Sequence, residues 1–307
     1  MISRPLLEKY SVPGPRYTSY PTAPHFHTGF GEADWAETLA APAADRALSL
    51  YTHIPFCDSL CHYCGCNMVA TRDYSKTRPY LATLDQEMAH TAQRVDGTRV
   101  VRQLHWGGGT PTYLNPDDIR RLMAMTRAHF TLAPDAEISC EADPRELTRE
   151  HLVALRESGF NRVSFGVQDL DPAVQQAVNR IQSEALIRQV LDWSRELGFS
   201  SINLDLIVGL PKQTVASFSR TLERVTAWAP DRLAVFGYAH VPWLKKHQRL
   251  IHEADLPDAA TRIGLQQAVD DALGAAGYVN IGLDHFARPD DELVQAQRNK
   301  TLWRNFQ

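Results

Sequence analysis

The sequence has no apolar run long enough to cross a bilayer and no excess of charge of one sign. Its first residues, Met1 to Pro5, lack the apolar stretch of a secretory signal. The formal net charge is only -4 over 307 residues, so neither a basic nucleic-acid footprint nor an acidic tail is indicated. We therefore expect a cytoplasmic protein with no membrane or nucleic-acid partner.

Cysteine is also scarce outside one short segment. The chain has five cysteines, and four of them lie between positions 57 and 66. This crowding does not suit a disulfide framework spread over a small secreted domain, and in a reducing compartment it indicates a metal site. The fifth, Cys140, lies in a predicted strand. Because side chains alternate along a strand, we expect it to point away from Glu141 into the core.

The remaining pattern is typical of an α/β fold. Short apolar runs alternate with helical patterns, as in βα units around a parallel sheet. The expected strands are Leu48 to Ile54, Val101 to Trp106, Ala136 to Glu141, Arg162 to Val167, Ile202 to Val208 and Arg232 to Tyr238. They predict a partial (β/α)6 barrel.

Helix boundaries are marked by capping residues. Asn115 and Pro116 are typical of a helix start. Gly159, Gly198 and Gly277 each stand where a left-handed residue would end a helix before the next strand. We expect an N-terminal arm or lid over 1–45, rich in proline at 13–24, and the barrel over 46–290. Residues 291–307 would then begin a further C-terminal region.

The strongest chemical signal is the C-x3-C-x2-C run of Cys57, Cys61 and Cys64, in the loop after the first strand. Three thiolates on one loop can hold an iron-sulfur cubane and leave one iron free to bind a cofactor. The alternative is a structural zinc site, with His53, His62 or Cys66 as fourth ligand, although the usual two separated ligand pairs are absent. Among the histidines, His62 is the one most worth testing. We expect His53, His105 and His240 to be hydrogen-bonded core residues.

Polar or glycine-rich positions follow the other strands at the same edge of the sheet, where barrel enzymes build their sites. These positions are Gly107 to Thr110, Glu141, Gln168, Asp205 and Ala239. Each has a purely structural alternative. Glu141 and Asp205 could cap helices, Gln168 could face solvent and Arg180 could pair with a surface acid. The basic run Trp243 to His247 is expected to be a solvated loop or a helix start.

The cysteine motif, with Tyr63 before its third cysteine, is similar to that of the radical S-adenosylmethionine superfamily. Longer stretches resemble the oxygen-independent coproporphyrinogen III oxidase family within it, from about residue 10 to the end of the chain. These stretches are PGPRYTSYPT, LYTHIPFCDSLCHYCGCN, LHWGGGTPTYL, EADPRE, GFNRVSFGVQD, LDLIVGLPKQT and DHFARPDDEL.

The resemblance implies a [4Fe-4S] cluster ligated by Cys57, Cys61 and Cys64, and two molecules of S-adenosylmethionine. The first molecule would be held by Tyr51, Gly108 and Glu141. The second would be held by Tyr63, Gly109, Thr110, Gln168, Arg180, Asp205 and Ala239. Cys66 matches a fourth family cysteine that does not bind the cluster. It is either catalytic or a buried thiol.

The reaction implied by the resemblance is the decarboxylation of two propionate side chains of coproporphyrinogen III to vinyl groups, giving protoporphyrinogen IX for heme biosynthesis. A 5′-deoxyadenosyl radical would remove hydrogen from each propionate. A reductant such as flavodoxin or ferredoxin would serve a monomeric enzyme, and Arg16 and Arg288 are candidate contacts for the substrate carboxylates. The alternative is a heme-binding chaperone of the same superfamily. Because family members continue into a helical C-terminal domain, we expect this chain to be truncated, with that domain missing.

Overall fold

The structure, a computed structural model, describes Lys9, residues 25–40 and residues 46–302. The proline-rich stretch 13–24, which contains Arg16, lies outside the described residues, as do residues 303–307. No helix of the described part is both long and apolar enough to span a bilayer.

Six parallel strands form the centre of the fold, in the order β1-β4-β5-β6-β7-β8. The strands are β1 (Leu48–Ile54), β4 (Val101–Gly108), β5 (Leu132–Ala142), β6 (Arg162–Gln168), β7 (Ser201–Val208) and β8 (Arg232–Gly237). A separate short pair, β2 (Phe56–Cys57) and β3 (Val69–Ala70), follows β1. The predicted α/β class and all six predicted parallel strands are confirmed.

Helices connect successive strands, as the βα pattern predicts. In the described residues the α-helices are α1 (Glu32–Ala40), α2 (Thr77–Ala92), α3 (Pro116–His129), α4 (Arg149–Glu157), α5 (Pro172–Ala177), α6 (Glu184–Glu196), α7 (Val215–Ala227), α8 (Ala259–Ala275) and α9 (Glu292–Arg298). Of these, α1 precedes the first strand and α9 follows the last. The predicted caps are confirmed. The Asn115 side chain accepts a hydrogen bond from the Asp118 N–H at 2.9 Å, and Gly159, Gly198 and Gly277 all have positive φ.

Two further strands, which the sequence pattern did not predict, extend the sheet beyond β8. They are β9 (Val279–Gly282) and β10 (His285–Ala287), and β10 pairs antiparallel with both β8 and β9. Leu283 and Asp284 between them have φ of 50° and 73°. Two positive φ values suit a tight hairpin turn, but asparagine and glycine are the residues that usually signal one.

Alternation along the strands separates the core from the barrel interior. In β6, Val163, Phe165 and Val167 are buried among the apolar side chains of the main core. Full burial of such a side chain contributes about 1.5–3 kcal/mol to folding. Arg162, Ser164, Gly166 and Gln168 point to the opposite side of the strand.

The neighbouring strands follow the same rule. In β7 the buried Leu204 and Leu206 alternate with Asn203 and Asp205. In β5 Cys140 is fully buried in the core, next to Glu141 on the other face. The expectation that Cys140 is a core residue is confirmed. One face of the sheet therefore packs against the helices, and the other carries polar groups.

Candidate functional site

A cavity of about 500 Å³ opens at the carboxyl edge of the parallel strands. It brings together Cys66 and every residue predicted to hold the cluster or S-adenosylmethionine, except Tyr51. These are Cys57, Cys61, Tyr63, Cys64, Cys66, Gly108, Gly109, Thr110, Glu141, Gln168, Arg180, Asp205 and Ala239. Their individual roles remain predictions, but they face one shared space.

The cysteine loop, residues 57–66, is attached to the sheet by backbone hydrogen bonds. Gly109 N–H donates to Ile54 O and Thr110 N–H donates to Phe56 O, both at 2.8 Å. At the far end of the loop, Val69 N–H donates to Pro55 O at 2.7 Å. The residues that lead into the cysteine loop are therefore hydrogen-bonded both to the end of β4 and to β3.

The middle of the loop is held by the segment that follows α5. His62 N–H donates to Val178 O at 2.9 Å, and the Asn179 side chain donates to Leu60 O at 2.8 Å. The His62 ring contacts Ala177 O at 3.3 Å and does not line the cavity. Of the three side chains proposed as a fourth zinc ligand, His62 is therefore turned away from the thiols.

The glycine-rich turn brings backbone close to backbone. A Cβ on Gly109 would lie 2.6 Å from Pro55 O, and Gly108 has a φ of 117° with the His53 ring in the space a Cβ would fill. Glycine is required at both positions, because a side chain would clash at the first and strain the backbone at the second. The turn thereby presents Gly108, Gly109 and Thr110 to the cavity.

Cys61 lies against two arginines, one of which the motif analysis missed. Arg145 Nη2 donates to the Cys61 sulfur at 3.4 Å and Arg180 Nη1 donates at 3.5 Å. Hydrogen bonds to ligand sulfurs are among the factors that set the potential of an iron-sulfur cluster. The signal for Arg145 was present in the EADPRE stretch, since its acid and base directly follow a strand end.

Asp143 compensates the charge of this arginine pair. Its Oδ2 accepts from Arg145 Nη2 at 2.6 Å and from Arg180 Nη1 at 2.9 Å. Burial alone would raise the pKa of Asp143, but the two guanidiniums hold it at about 2. Arg180 is therefore paired with a buried acid, and the alternative of a surface ion pair is wrong.

The other cysteines differ in environment. Burial raises the pKa of the Cys57 thiol to about 11, and its sulfur lies 3.5 Å from the Thr110 hydroxyl. The pKa of Cys64 is lowered, first by a hydrogen bond from the Cys66 side chain and further by the Cys66 N–H. Because metal ligands bind as thiolates, loading this site must release the Cys57 proton.

Glu141 has a defined partner. Its Oε1 lies 3.3 Å from His105 Nε2, and His105 Nδ1 lies 2.7 Å from the Ser139 hydroxyl. Tyr51 stacks on His105 with ring centroids 5.9 Å apart, and its hydroxyl lies 3.2 Å from His53 Nδ1. Tyr51 therefore stands beside Glu141 without lining the cavity itself.

Asp205 belongs to a polar network at the base of the cavity. Its carboxylate accepts from the Ser164 hydroxyl at 3.0 Å and from Asn203 Nδ2 at 2.7 Å, and Asn203 Nδ2 also donates to Ser164 at 2.8 Å. Burial and the nearby Glu141 charge raise the pKa of Asp205 to about 7. Neither Asp205 nor Glu141 caps a helix, so that alternative is wrong for both.

Two cavity side chains keep unused hydrogen-bonding capacity. Gln168 Oε1 and Arg180 Nε are buried and have no hydrogen-bond partner within the described residues. Gln168 has a φ of 65°, a conformation that costs about 1–3 kcal/mol for residues other than glycine and that recurs at functional sites. The unpaired acceptor belongs to Gln168 and the unpaired donor to Arg180, and both residues line the same cavity. This arrangement suits a polar ligand better than it suits the alternative that Gln168 faces solvent.

The segment after β8 covers the cysteine loop. Lys245 Nζ donates to Cys66 O at 2.8 Å, Gln248 Nε2 donates to Tyr63 O at 2.9 Å, and His247 Nε2 lies 2.7 Å from Cys64 O. The expectation of a helix start in Trp243 to His247 is confirmed, since a 3-10 helix begins at Lys246. The alternative of a merely solvated loop is wrong for Lys245 and His247. The run of polar residues after the sixth strand was the available signal.

Other predicted residues lie elsewhere. His53 and His240 are hydrogen-bonded, to Asn67 O at 2.7 Å and to the Tyr238 hydroxyl at 2.8 Å. Arg288 follows Ala287, which pairs with Arg232 at the start of β8, and its side chain lies 3.5 Å from Asp290. It stands at the edge of the sheet opposite the cavity, so the suggested contact with the substrate is wrong.

The donor set fits a cluster better than a single ion. No three His, Cys, Asp or Glu side chains of the described part converge closely enough to bind one metal ion. A cubane instead takes one thiolate on each ligated iron, so its ligand sulfurs are spread around a larger group. Cys57, Cys61 and Cys64 line a cavity large enough for such a group, with Glu141 facing the same space.

Comparison with known proteins identifies relatives over almost the whole chain. The sequence profile of the Radical SAM superfamily matches residues 51–225. The oxygen-independent coproporphyrinogen III oxidase of Salmonella typhimurium is 53% identical over 98% of this chain. The enzyme of the same name from Pseudomonas aeruginosa is 50% identical over 98% of the chain. The chain spans 66% of the length of both relatives.

A solved structure agrees. Coproporphyrinogen III oxidase from Escherichia coli, described as a radical SAM enzyme, superposes with a TM-score of 0.92 at 51% identity. The alignment covers 98% of this chain and 67% of that one.

We expect Gly109→Ala to destabilise the apo-protein by about 1–3 kcal/mol, because its Cβ would overlap the Pro55 carbonyl. Urea unfolding measures this loss. Gly274→Ala is the matched control, since a Cβ on Gly274 in α8 meets nothing within 4 Å. That variant should be unchanged or more stable by about 0.5–1 kcal/mol. Equal stability of the two variants would contradict the close approach.

We expect Asp205→Asn to change the pH dependence of stability. Burial and the nearby Glu141 charge raise the pKa of Asp205 from the ordinary aspartate value of 3.8 to about 7 in the folded protein. Between these values the folded state keeps a proton that the unfolded state has lost, so the wild-type free energy of unfolding falls as pH rises. Asp205→Asn removes this slope, which is on the order of 1.4 kcal/mol per pH unit. The difference in free energy of unfolding between Asp205→Asn and wild type should therefore grow in favour of the variant up to about pH 7 and then level off.

Denaturant unfolding of the apo-protein from pH 4.5 to 8 tests this expectation. Asp117→Asn is the control, because Asp117 is 97% exposed and the same substitution is made there at a carboxylate open to solvent. Parallel pH profiles for wild type and Asp205→Asn would show that Asp205 is ionised throughout.

Proposed function

The chain belongs to the radical S-adenosylmethionine superfamily, and we propose that it is an oxygen-independent coproporphyrinogen III oxidase. In the proposed reaction, two propionate side chains of coproporphyrinogen III become vinyl groups. Each loses a hydrogen atom from its β-carbon, its carboxylate as carbon dioxide and one further electron. The product is protoporphyrinogen IX.

The observation that carries this proposal is the single cavity that gathers three cysteine thiols with the residues expected around S-adenosylmethionine. About 50% identity to oxidases over nearly the whole chain supports the substrate. A reduced cluster with S-adenosylmethionine bound would supply the one-electron chemistry that removes hydrogen from the propionate β-carbon. The protein itself binds and orients these groups.

The cysteine side of the cavity suits the cluster. Cys57, Cys61 and Cys64 would be its ligands. Arg145 and Arg180, already donating to the Cys61 sulfur, would keep that ligand hydrogen-bonded. Cys61 is buried and Cys57 and Cys64 are partly buried, which would limit access of water to the cluster.

The opposite side suits S-adenosylmethionine. The Glu141 carboxylate, oriented by His105, can accept hydrogen bonds from an ammonium group or ribose hydroxyls. Gly108 and Gly109 line the cavity, so their backbone groups could contact a ligand there. Asp205, Gln168 and Arg180 offer a further polar surface that fits a second molecule, with the orphaned Gln168 Oε1 and Arg180 Nε as ready partners.

The proposal extends to the setting of the reaction. The cluster would need a low-potential donor, such as flavodoxin or ferredoxin. A cytoplasmic location would agree with five cysteines that are all unpaired. We further propose that the chain is a monomer, which gel filtration would test.

We expect anaerobic protein, reconstituted with iron and sulfide, to convert coproporphyrinogen III to protoporphyrinogen when given a strong reductant and S-adenosylmethionine. Chromatography would follow the porphyrins and 5′-deoxyadenosine. Cys61→Ser should abolish both products, because it removes one of three cluster ligands. Cys140→Ser is the control, since Cys140 lies in the core away from the cavity and its loss should spare the cluster.

The other possible outcomes of this experiment distinguish between the alternative functions. Cleavage of S-adenosylmethionine without loss of carboxylates would rule out the oxidase reaction and leave the superfamily chemistry intact. Stoichiometric heme binding without turnover would favour the heme-binding chaperone. Zinc in place of iron, with no visible absorption after reconstitution, would contradict the cluster.

We expect Glu141→Gln to weaken binding of S-adenosylmethionine to the reconstituted protein by ten- to hundredfold, because charged hydrogen bonds contribute about 1.5–3 kcal/mol. Calorimetric titration measures the affinity. Glu157→Gln, on the far surface where Glu157 pairs with Arg120, is the control. An unchanged affinity of Glu141→Gln would remove Glu141 from the binding site.

A further inference from the structure

The second half of the cysteine loop depends on outside partners for its carbonyl groups. Within the loop, Cys64 N–H donates to Cys61 O at 3.1 Å and Cys66 N–H donates to the Cys64 sulfur at 3.4 Å. These bonds satisfy N–H groups of the loop, but they leave the carbonyls of Tyr63, Cys64 and Cys66 without backbone donors among the described residues. A loop with unpaired carbonyls keeps one conformation only if other groups bind them.

Three side chains from one short segment bind these three carbonyls. Gln248 reaches Tyr63 O, His247 reaches Cys64 O and Lys245 reaches Cys66 O, at 2.9, 2.7 and 2.8 Å. The two residues of each hydrogen-bonded pair are 179 to 185 positions apart in sequence. The three contacts therefore tie the loop after the sixth parallel strand to the loop after the first. We call these three side chains the clamp.

Gln248 is the fixed point of the clamp. It is fully buried, and its amide donates to both Tyr63 O and Ala239 O while its oxygen accepts from Val241 N–H at 2.6 Å. Every polar atom of this side chain is thus engaged. It joins the end of β8, where Ala239 lines the cavity, directly to the cysteine loop.

Lys245 adds a charge to the clamp. Its ammonium lies 2.8 Å from Cys66 O, two residues after the predicted ligand Cys64. Reduction adds one negative charge to a cluster, and a nearby positive charge stabilises that form. Lys246 is more exposed and donates no hydrogen bond to the cysteine loop in the described structure.

We propose that Lys245, His247 and Gln248 are positioning residues that hold the cysteine loop in its ligand-binding conformation, and that Lys245 also raises the reduction potential of the cluster. The redox part rests on the proposed function, because it requires a cluster at Cys57, Cys61 and Cys64. The mechanical part concerns the polypeptide alone. Since the clamp contacts the cysteine loop only at backbone carbonyls, it works whatever substrate the cavity accepts.

The redox part is tested with Lys245→Gln and its matched control Lys246→Gln, which remove the same charge from adjacent positions. Spectroscopic titration of the reconstituted proteins, without coproporphyrinogen, gives the midpoint potential. We expect Lys245→Gln to make the reduction equilibrium about tenfold less favourable, which is about 59 mV for one electron. Lys246→Gln and Lys245→Arg should both stay close to wild type.

The mechanical part is tested on the apo-protein by hydrogen exchange of the amides of residues 57–71. We expect Lys245→Gln and Gln248→Leu to speed exchange there several-fold more than in β6, and Lys246→Gln to leave it unchanged. His247→Phe keeps a ring of similar size without the donor and should act like Gln248→Leu. If Gln248→Leu unfolds, the Lys245 and His247 variants still decide the result.

Equal potentials for the Lys245→Gln and Lys246→Gln variants would overturn the redox role, and unchanged exchange in the Lys245 and His247 variants would overturn the clamp. Failure of the proposed function would give a different experimental result. A wild-type protein that takes up no iron-sulfur cluster would overturn both the oxidase and the redox role, while exchange in the apo-protein would still decide the mechanical role.

Discussion

The close approach of Gly109 to the backbone of Pro55 and Phe56 is the constraint on which the site depends. It brings the end of β4 against the beginning of the cysteine loop, where two backbone hydrogen bonds of 2.8 Å join them. With the start of the loop fixed there, and its middle fixed by Val178 and Asn179, the three thiols face the strand ends. A side chain at position 109 would separate the loop from the residues it must face.

Much of this arrangement could be predicted from local sequence. Period-two alternation places Glu141 and Asp205 on one face of the sheet and Cys140 and Leu204 on the other. Parallel strands then bring their carboxyl ends to one edge, so residues far apart in sequence share a cavity. The glycines at helix ends and Asn115 define boundaries because each satisfies a local backbone requirement.

Local sequence could not predict the contacts between segments that are far apart in the chain. Asp143 sits between Arg145 and Arg180 only once the loop after β5 meets the end of α5. Lys245 and His247 resemble ordinary surface residues until the loop after β8 lies on the cysteine loop. The hairpin of β9 and β10 was missed because its turn uses leucine and aspartate in a conformation that other residues usually signal.

The hairpin of β9 and β10 also limits aggregation through the edge of the sheet. An open sheet ends in a strand whose free carbonyl and N–H groups can recruit another chain into an aggregate. Here β9 has only four residues, and the Gln297 side chain from α9 donates to Asn280 O at 3.0 Å and Ile281 O at 3.2 Å. A glutamine from the following helix thus engages two backbone carbonyls of this short strand, which leaves fewer of them for a foreign strand to pair with.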